Sequence, residues 1–245
     1  MRLRAFVTDV DWQERQALLK VAFPTDIRNR RATYEIQFGT IDRPTHRNTS
    51  WEEAAFEVPA QCWADLSDSH YGVAVLADCK HGYSVHESTL WLSLLKGAID
   101  PDPDADRGQH HFTYSLLPHP TGLDAVRRAA YSLSRPLMWR REGAHPGRLP
   151  ARFSLASVAD SNVVIETARW AEDEDALIVR LYEAEGGSTS VALELGVTSD
   201  SVDQVDLPER NPRTLDVADN GSVALDFRAR EIKTLLVGHL ARVPV

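Results

Sequence analysis

The sequence predicts an all-β protein: a large β-sandwich, one short helix, and then a smaller C-terminal β-sandwich. Two observations support this. Apolar and polar residues alternate over short segments that end in turn residues, as in half-buried strands. Helical stripes of apolar residues are scarce. In TYEIQF, for example, Tyr34, Ile36 and Phe38 share one face, because successive side chains of a strand point to opposite sides.

The first part of the chain contains segments of about 5 to 8 residues, the usual length of a strand. They cover residues 3–10, 17–23, 31–38, 72–77, 89–95 and 111–117. The helix is expected at 122–133, where Leu123, Val126, Ala130 and Leu133 recur at spacings of three and four, and Pro136 follows it.

Residues 140–152 hold two prolines and two glycines without apolar periodicity, and are predicted to be a linker. This divides the chain into domains 1–139 and 153–245. Strands of the second domain are expected at 153–158, 163–170, 176–184, 190–195, 202–207, 223–227 and 232–237. The turn sequences EGGS at 185–188 and DNGS at 219–222 predict hairpins, because glycine and asparagine accept a positive φ.

Composition narrows the class of protein. A formal net charge of −9 argues against nucleic acid or an anionic membrane as a partner, because both attract clustered basic residues. No signal-peptide pattern and no run of 18 apolar residues is found, so a cytoplasmic location is expected. Cys62 and Cys79 give no disulfide framework and no CxxC spacing.

Motifs for independent chemistry are missing from the sequence. Asp100, Asp102, Asp104 and Asp106 alternate as in a calcium loop, but Ala105 and His111 occupy the places of its glycine and glutamate. His110 and His111 are adjacent, whereas two ligands on one strand face need an i, i+2 spacing. No metal is assigned, and no GxSxG elbow or phosphate loop is present.

Three longer blocks are far more specific. Residues 34–83 read YEIQFGTIDRPTHRNTSWEEAAFEVPAQCWADLSDSHYGVAVLADCKHGY, 101–119 read PDPDADRGQHHFTYSLLPH, and 161–183 read SNVVIETARWAEDEDALIVRLYE. In order and spacing they resemble the C-terminal half of the α-mannosidases of glycoside hydrolase family 38. The resemblance implies that the first domain is a galactose-mutarotase-like supersandwich.

The resemblance also implies that catalysis takes place in a separate domain. Family members are retaining enzymes that carry their aspartate nucleophile and zinc ligands in an N-terminal catalytic domain, so the chain is expected to be inactive alone. Its expected partners are that catalytic domain and an α-mannoside substrate, with a homo-oligomer as a further possibility. A free-standing carbohydrate-binding or oligomerisation module is the alternative.

Two segments are candidates for a substrate rim or an interdomain surface. The first is a predicted turn that holds Asp78, Lys80, His81 and Tyr83; the family commonly has tyrosine at the position of His81. Loops on a rigid sheet are where binding residues concentrate.

The second segment is a polar connection with Arg43, His46 and Asn48. Ser50 and Glu53 match a capping box, which predicts a helix start there. Trp51, next to Phe56 and Val58, is expected in the core.

Overall fold

A computed structural model describes residues 3–144, 146–147 and 150–240. By its internal contacts the chain divides into two compact units, residues 1–139 and 140–245, called here the first unit and the second unit. The predicted linker at 140–152 includes residues outside the described part, and the domain boundaries stay a prediction.

The first unit contains ten strands and two helices in its described residues. In chain order they are β1 (Arg4–Trp12), β2 (Leu18–Pro24), β3 (Arg31–Ile36), β4 (Gly39–Pro44), α1 (Ser50–Ala54), β5 (Val58–Pro59), β6 (Trp63–Ser67), β7 (Tyr71–Ala77), β8 (Gly82–His86), β9 (Thr89–Lys96), β10 (Gly108–Pro120) and α2 (Asp124–Ser134). A six-stranded antiparallel sheet has the order β1-β10-β7-β6-β3-β4, and a four-stranded sheet has the order β2-β9-β8-β5.

The main core of the first unit lies between these two sheets, where Tyr34, Leu92 and Phe112 are among the buried side chains. The six-stranded sheet is also covered on its other face. There α2 packs Val126 and Ala130, spaced by one helical turn, against Trp63 and other side chains of the sheet. β7 is therefore buried on both faces, and its sequence YGVAVLA is apolar without alternation.

The second unit is a smaller sandwich. Its strands are β11 (Ala156–Val158), β12 (Val163–Trp170), β13 (Ala176–Glu183), β14 (Thr189–Leu195), β15 (Ser199–Val205), β16 (Arg213–Leu215), β17 (Ser222–Phe227) and β18 (Ile232–Leu240). A three-stranded sheet, β11-β14-β17, and a five-stranded sheet, β12-β13-β18-β15-β16, enclose one apolar core. The predicted all-β class with two sandwiches is confirmed.

Several local predictions need correction. EGGS at 185–188 is not a hairpin turn, because it joins β13 of one sheet to β14 of the other. DNGS does form a tight turn before β17, with Gly221 at φ +80 and a bridge between Val217 and Val223. The helix predicted at 122–133 is α2, but α1 is a second helix. Neither helix in the described part of the chain is long and apolar enough to cross a membrane.

Candidate functional site

The candidate residues surround the edge of the first unit where β4 and β5 meet. Each strand is the last of its sheet, and Arg43 joins them by donating a hydrogen bond from Nη1 to the Pro59 carbonyl at 3.1 Å. The chain crosses from one sheet to the other through α1. Three depressions follow this edge, and their linings contain most of the candidate residues.

The first depression, the loop cleft, has a volume of about 940 Å³. It is lined by residues 16–18, 56–59, 79–82 and 93–100 and by Asp106. Lys80 lies on its wall with Nζ 4.5 Å from the centre of the Phe112 ring. The exposed ring of His81 is fixed by a 2.8 Å hydrogen bond from Nδ1 to the Gln61 carbonyl.

Asp78 holds this loop to β10. Its backbone N–H donates to the Thr113 carbonyl at 3.1 Å, and its Oδ2 accepts from the Thr113 N–H at 2.8 Å. Oδ1 is buried without a hydrogen-bond partner among the described residues. Asp78 thus positions Lys80 and His81, and does not itself line the cleft.

Tyr83 is a core residue, which corrects its assignment to the rim. It is the second residue of β8, and its side chain points into the sandwich with 0% exposure. Burial raises the pKa of its phenol well above the ordinary value, with a smaller contribution from the charge of nearby acidic groups. The predicted turn 78–83 is therefore too long, because β8 already begins at Gly82.

The second depression, the edge cavity, adjoins the loop cleft, since Phe56 and Val58 line both. It has a volume of about 210 Å³. Its lining consists of Tyr34, Arg43, Pro44, His46, Arg47, Trp51, Glu52, Ala55, Phe56, Val58, Ser84 and Val85. The Arg43 guanidinium lies 4.8 Å from the centre of the Tyr34 ring. Burial raises the pKa of Tyr34 to about 12, although the charge of Arg43 opposes that shift.

The helix beside this cavity differs from its prediction in two ways. Its N-cap is Thr49 and the partner is Glu52, one residue before the predicted Ser50 and Glu53. Trp51 is 73% exposed rather than buried, because α1 packs none of its side chains into the core. The backbone N–H groups of Asn48 and Thr49 donate to Glu52 Oε2, and His46 Nδ1 lies 3.4 Å from the same oxygen.

The third depression, the arginine cleft, adjoins the edge cavity at His46 and has a volume of about 850 Å³. It is lined by residues 28–30, 45–46 and 87–88 and by Asn48. The Glu87 N–H donates to the Thr45 carbonyl at 2.7 Å, so this cleft lies at the end of β8, while Lys80 and His81 lie at its start. A five-residue strand spans about 15 Å. A single sugar ring therefore cannot contact both the pair Lys80 and His81 and the pair His46 and Asn48.

A polar network that sequence reasoning missed lies between the loop cleft and the edge cavity. Lys20 Nζ lies 3.2 Å from Ser84 Oγ and 3.6 Å from Glu57 Oε2, and Ser93 donates to the other Glu57 oxygen. Lys20 and Ser84 occupy different strands, and only the sheet order brings them together. Their spacing in sequence carries no signal of this contact.

The carboxylates of the acidic loop at residues 100–106 form hydrogen bonds within the first unit. Asp104 Oδ1 accepts from Arg15 at 3.1 Å and from Arg107 at 2.7 Å, and Asp106 Oδ2 accepts from the Lys96 N–H. Hydrogen bonds and the charges of Arg107 and Arg15 lower the pKa of Asp104, although desolvation opposes them. Within residues 3–240 as far as they are described, no group of three His, Cys, Asp or Glu side chains is placed to hold a metal.

Comparison with known proteins gives consistent relatives. Residues 3–104 match the glycosyl hydrolases family 38 C-terminal domain, and residues 162–235 match the family 38 C-terminal beta sandwich domain. The chain is 46% identical over 213 residues to alpha-mannosidase 2C1 of Homo sapiens, covering 84% of this chain and 20% of that protein. It is 34% identical over 212 residues to alpha-mannosidase of Saccharomyces cerevisiae, covering 80% and 19%.

Solved structures agree on the fold. The crystal structure of an alpha-mannosidase from Enterococcus faecalis aligns with a TM-score of 0.79 at 18% identity, over 96% of this chain and 27% of that one. The chain thus spans about a fifth of the length of the curated relatives it matches.

Proposed function

The chain belongs to glycosyl hydrolase family 38, and on that premise we propose that it forms the C-terminal, non-catalytic portion of a retaining, zinc-dependent α-mannosidase. The observation that carries the proposal is the 46% identity to an alpha-mannosidase over 213 residues. In this function the chain supports a catalytic domain and lines its active site, and it has no glycosidase activity alone. Hydrolysis proceeds through a covalent glycosyl intermediate on an aspartate of the catalytic domain.

The geometry of the loop cleft supports the rim role of Lys80 and His81. The cleft is open, with a volume of about 940 Å³ that could admit a segment of another domain. Asp78 fixes the loop to the sheet through two hydrogen bonds with Thr113, one from its backbone N–H and one to its carboxylate. On such a rigid loop the Lys80 ammonium group can donate hydrogen bonds to sugar hydroxyls, and Nε2 of a neutral His81, whose Nδ1–H is used on Gln61, can accept one. Tyr83 has no part in this role.

Zinc belongs to the catalytic domain in this proposal, where it binds substrate hydroxyls. A cytoplasmic location is part of the same proposal. It is supported by the thiols of Cys62 and Cys79, which are both free.

A chimera tests the proposal. The chain replaces the matching fifth of the Saccharomyces cerevisiae alpha-mannosidase, and hydrolysis of an aryl α-mannoside is measured with zinc. We expect activity within about tenfold of the parent enzyme, because the chain supplies the same domain surface. A matched chimera with an unrelated β-sandwich should be inactive. A folded, zinc-loaded chimera without activity would contradict the proposal.

The rim role has its own test in that chimera. Lys80→Ala should lower kcat/KM about tenfold if the ammonium group contacts substrate. His70→Ala, on the exposed turn between β6 and β7, is the matched control and should leave kcat/KM unchanged. Equal kinetics for both variants would show that the loop is only a turn.

A further inference from the structure

We propose that the edge cavity binds one neutral pyranose ring of a glycan, with Trp51 and Phe56 as its apolar walls and Arg43 as a hydrogen-bond donor. This goes beyond the proposed function, because it assigns a ligand to a cavity that is distinct from the proposed substrate rim and is lined by residues of this chain. It also differs from the rim at Lys80 and His81, which lies at the far side of Phe56.

Neither aromatic side chain is buried in the core of the first unit. Trp51 is 73% exposed and Phe56 is 58% exposed, and α1 buries none of its residues. The start of α1 is fixed by the reciprocal capping box of Thr49 and Glu52, and Phe56 follows the end of this helix. Trp51 is thus presented on a capped helical turn, which lowers the entropy cost of binding.

The polar lining complements these walls. Arg43 uses Nη1 on the Pro59 carbonyl, and a guanidinium group has five N–H donors, so others remain for a ligand. Arg47 and Ser84 add further polar groups at the wall. A pyranose ring has one face rich in C–H groups and an edge of hydroxyls. The first suits the electron-rich face of an aromatic ring, and the second suits planar N–H donors.

The size of the cavity limits the ligand to one ring. Its 210 Å³ is smaller than the roughly 300–1,000 Å³ of sites for drug-sized molecules, and corresponds to about seven water volumes. The adjoining loop cleft leaves space beyond Phe56 for the rest of a glycan chain.

The test uses the 245-residue chain and three probes: methyl α-mannopyranoside, methyl α-glucopyranoside and methyl α-galactopyranoside. Amide resonances are followed by two-dimensional NMR as each glycoside is added up to about 20 mM. We expect at least one glycoside to shift the resonances of residues 43–58 saturably, with a Kd of about 1 mM, as befits a single ring.

Variants locate the site. Trp51→Ala should weaken binding at least about tenfold, while Trp170→Ala, an exposed tryptophan of the second unit, should change it less than about twofold. Absence of saturable shifts with all three glycosides, or equal binding by wild type and Trp51→Ala, would overturn the proposal. So would a result in which this face binds a purified catalytic domain but no glycoside. The chimera described above reports on the proposed function independently, since its turnover does not measure glycoside binding to this cavity.

Discussion

The two units bury their sheets in different ways. Both enclose an apolar core between two antiparallel sheets, but the first unit adds a third layer, α2, over the outer face of its larger sheet. In the described residues of the second unit, the outer face of the five-stranded sheet carries a small apolar cluster around Ile178 and Leu236. The extra layer makes β6 and β7 of the first unit central to its fold.

The added layer also encloses polar groups. Under α2, His119 donates from Nε2 to Asp65 Oδ1 at 2.7 Å and from Nδ1 to the Pro120 carbonyl at 2.7 Å, so the imidazole is doubly protonated. Ser67 donates to the other Asp65 oxygen at 2.6 Å. In the second unit the buried carboxylate Glu183 accepts hydrogen bonds from the backbone N–H groups of residues 185, 186 and 230. The first unit thus relies on a buried ion pair, and the second on a carboxylate held by backbone amides.

The largest effect is expected when the side chain that packs between the helix layer and the sheet is truncated. Trp63→Ala should cost the first unit about 3–5 kcal/mol of unfolding free energy, because a fully buried indole leaves a large cavity. Phe227→Ala is the matched change in the core of the second unit. Unfolding in denaturant should show each variant shifting one transition, and a common shift of both transitions would mean that the units are not separate.

Next in size is the loss of the buried ion pair. Asp65→Asn should lower the unfolding free energy of the first unit by about 3 kcal/mol, because a buried imidazolium loses its counter-charge. Glu183→Gln in the second unit should shift only the other transition. If Asp65→Asn leaves the midpoint of the first transition unchanged, the ion pair is not a stabilising feature.

A glycine beside this pair gives a smaller effect. A Cβ on Gly72 would lie 2.0 Å from Ser67 Oγ and 2.6 Å from the His119 ring. Gly72→Ala should therefore cost about 1–3 kcal/mol in the same denaturant experiment. Gly143→Ala has no neighbour within 4 Å and serves as the control. Equal midpoints for these two variants would contradict the close packing described here.

His119 of the first unit and the acidic residues Glu183 and Glu231 of the second should give pH dependences of opposite sign. Burial lowers the pKa of His119, but its bonds to Asp65 outweigh this and raise it overall. The contribution of His119 is thus complete below its unfolded pKa, about 6.5, and is lost as pH rises through the folded pKa. Burial raises the pKa of Glu183 and of Glu231, but hydrogen bonds outweigh this and lower both: backbone N–H groups act on Glu183, and the Arg228 N–H together with Lys233 acts on Glu231. Their contribution is complete above about pH 4.3 and is lost on acidification.

Thermal unfolding measured from pH 4 to 9 checks this difference. The first transition should weaken on the alkaline side, and Asp65→Asn should remove that dependence. The second transition should weaken only on the acid side. A first unit whose stability is constant above about pH 6.5 would contradict the assignment of a protonated His119.

The smallest expected effect is at the edge cavity. Trp51→Ala should change the unfolding free energy of the first unit by less than about 0.5 kcal/mol, since the side chain is mostly exposed. Its contrast with Trp63→Ala separates a tryptophan that builds the fold from one available for binding. A loss of 2 kcal/mol or more, about the value of a buried side chain, would place Trp51 in the core.

Strands and helices were predicted where a local pattern is visible. β12 and α2 show alternation or a helical stripe, and β7 and β13 are nearly continuous apolar runs. β6 was missed because WADLS shows neither pattern: Trp63 faces α2, Ala64 and Leu66 face the sandwich, and the charged Asp65 interrupts the apolar run.

The candidate site was predicted only in part, for related reasons. Lys80 and His81 lie in an open cleft, as a polar loop after an apolar strand suggests. Tyr83 and Trp51 were both misplaced, the first outside the core and the second inside it. Aromatic residues suit either environment, and the start of β8 and the outward position of α1 depend on tertiary contacts that no local pattern records.

Assay of the pure 245-residue chain with an aryl α-mannoside and added zinc decides whether this chain supports catalysis without performing it. We expect no turnover above the rate of buffer, with or without the metal. Zinc-dependent hydrolysis by the pure chain, abolished by a chelator and restored by zinc, would contradict it.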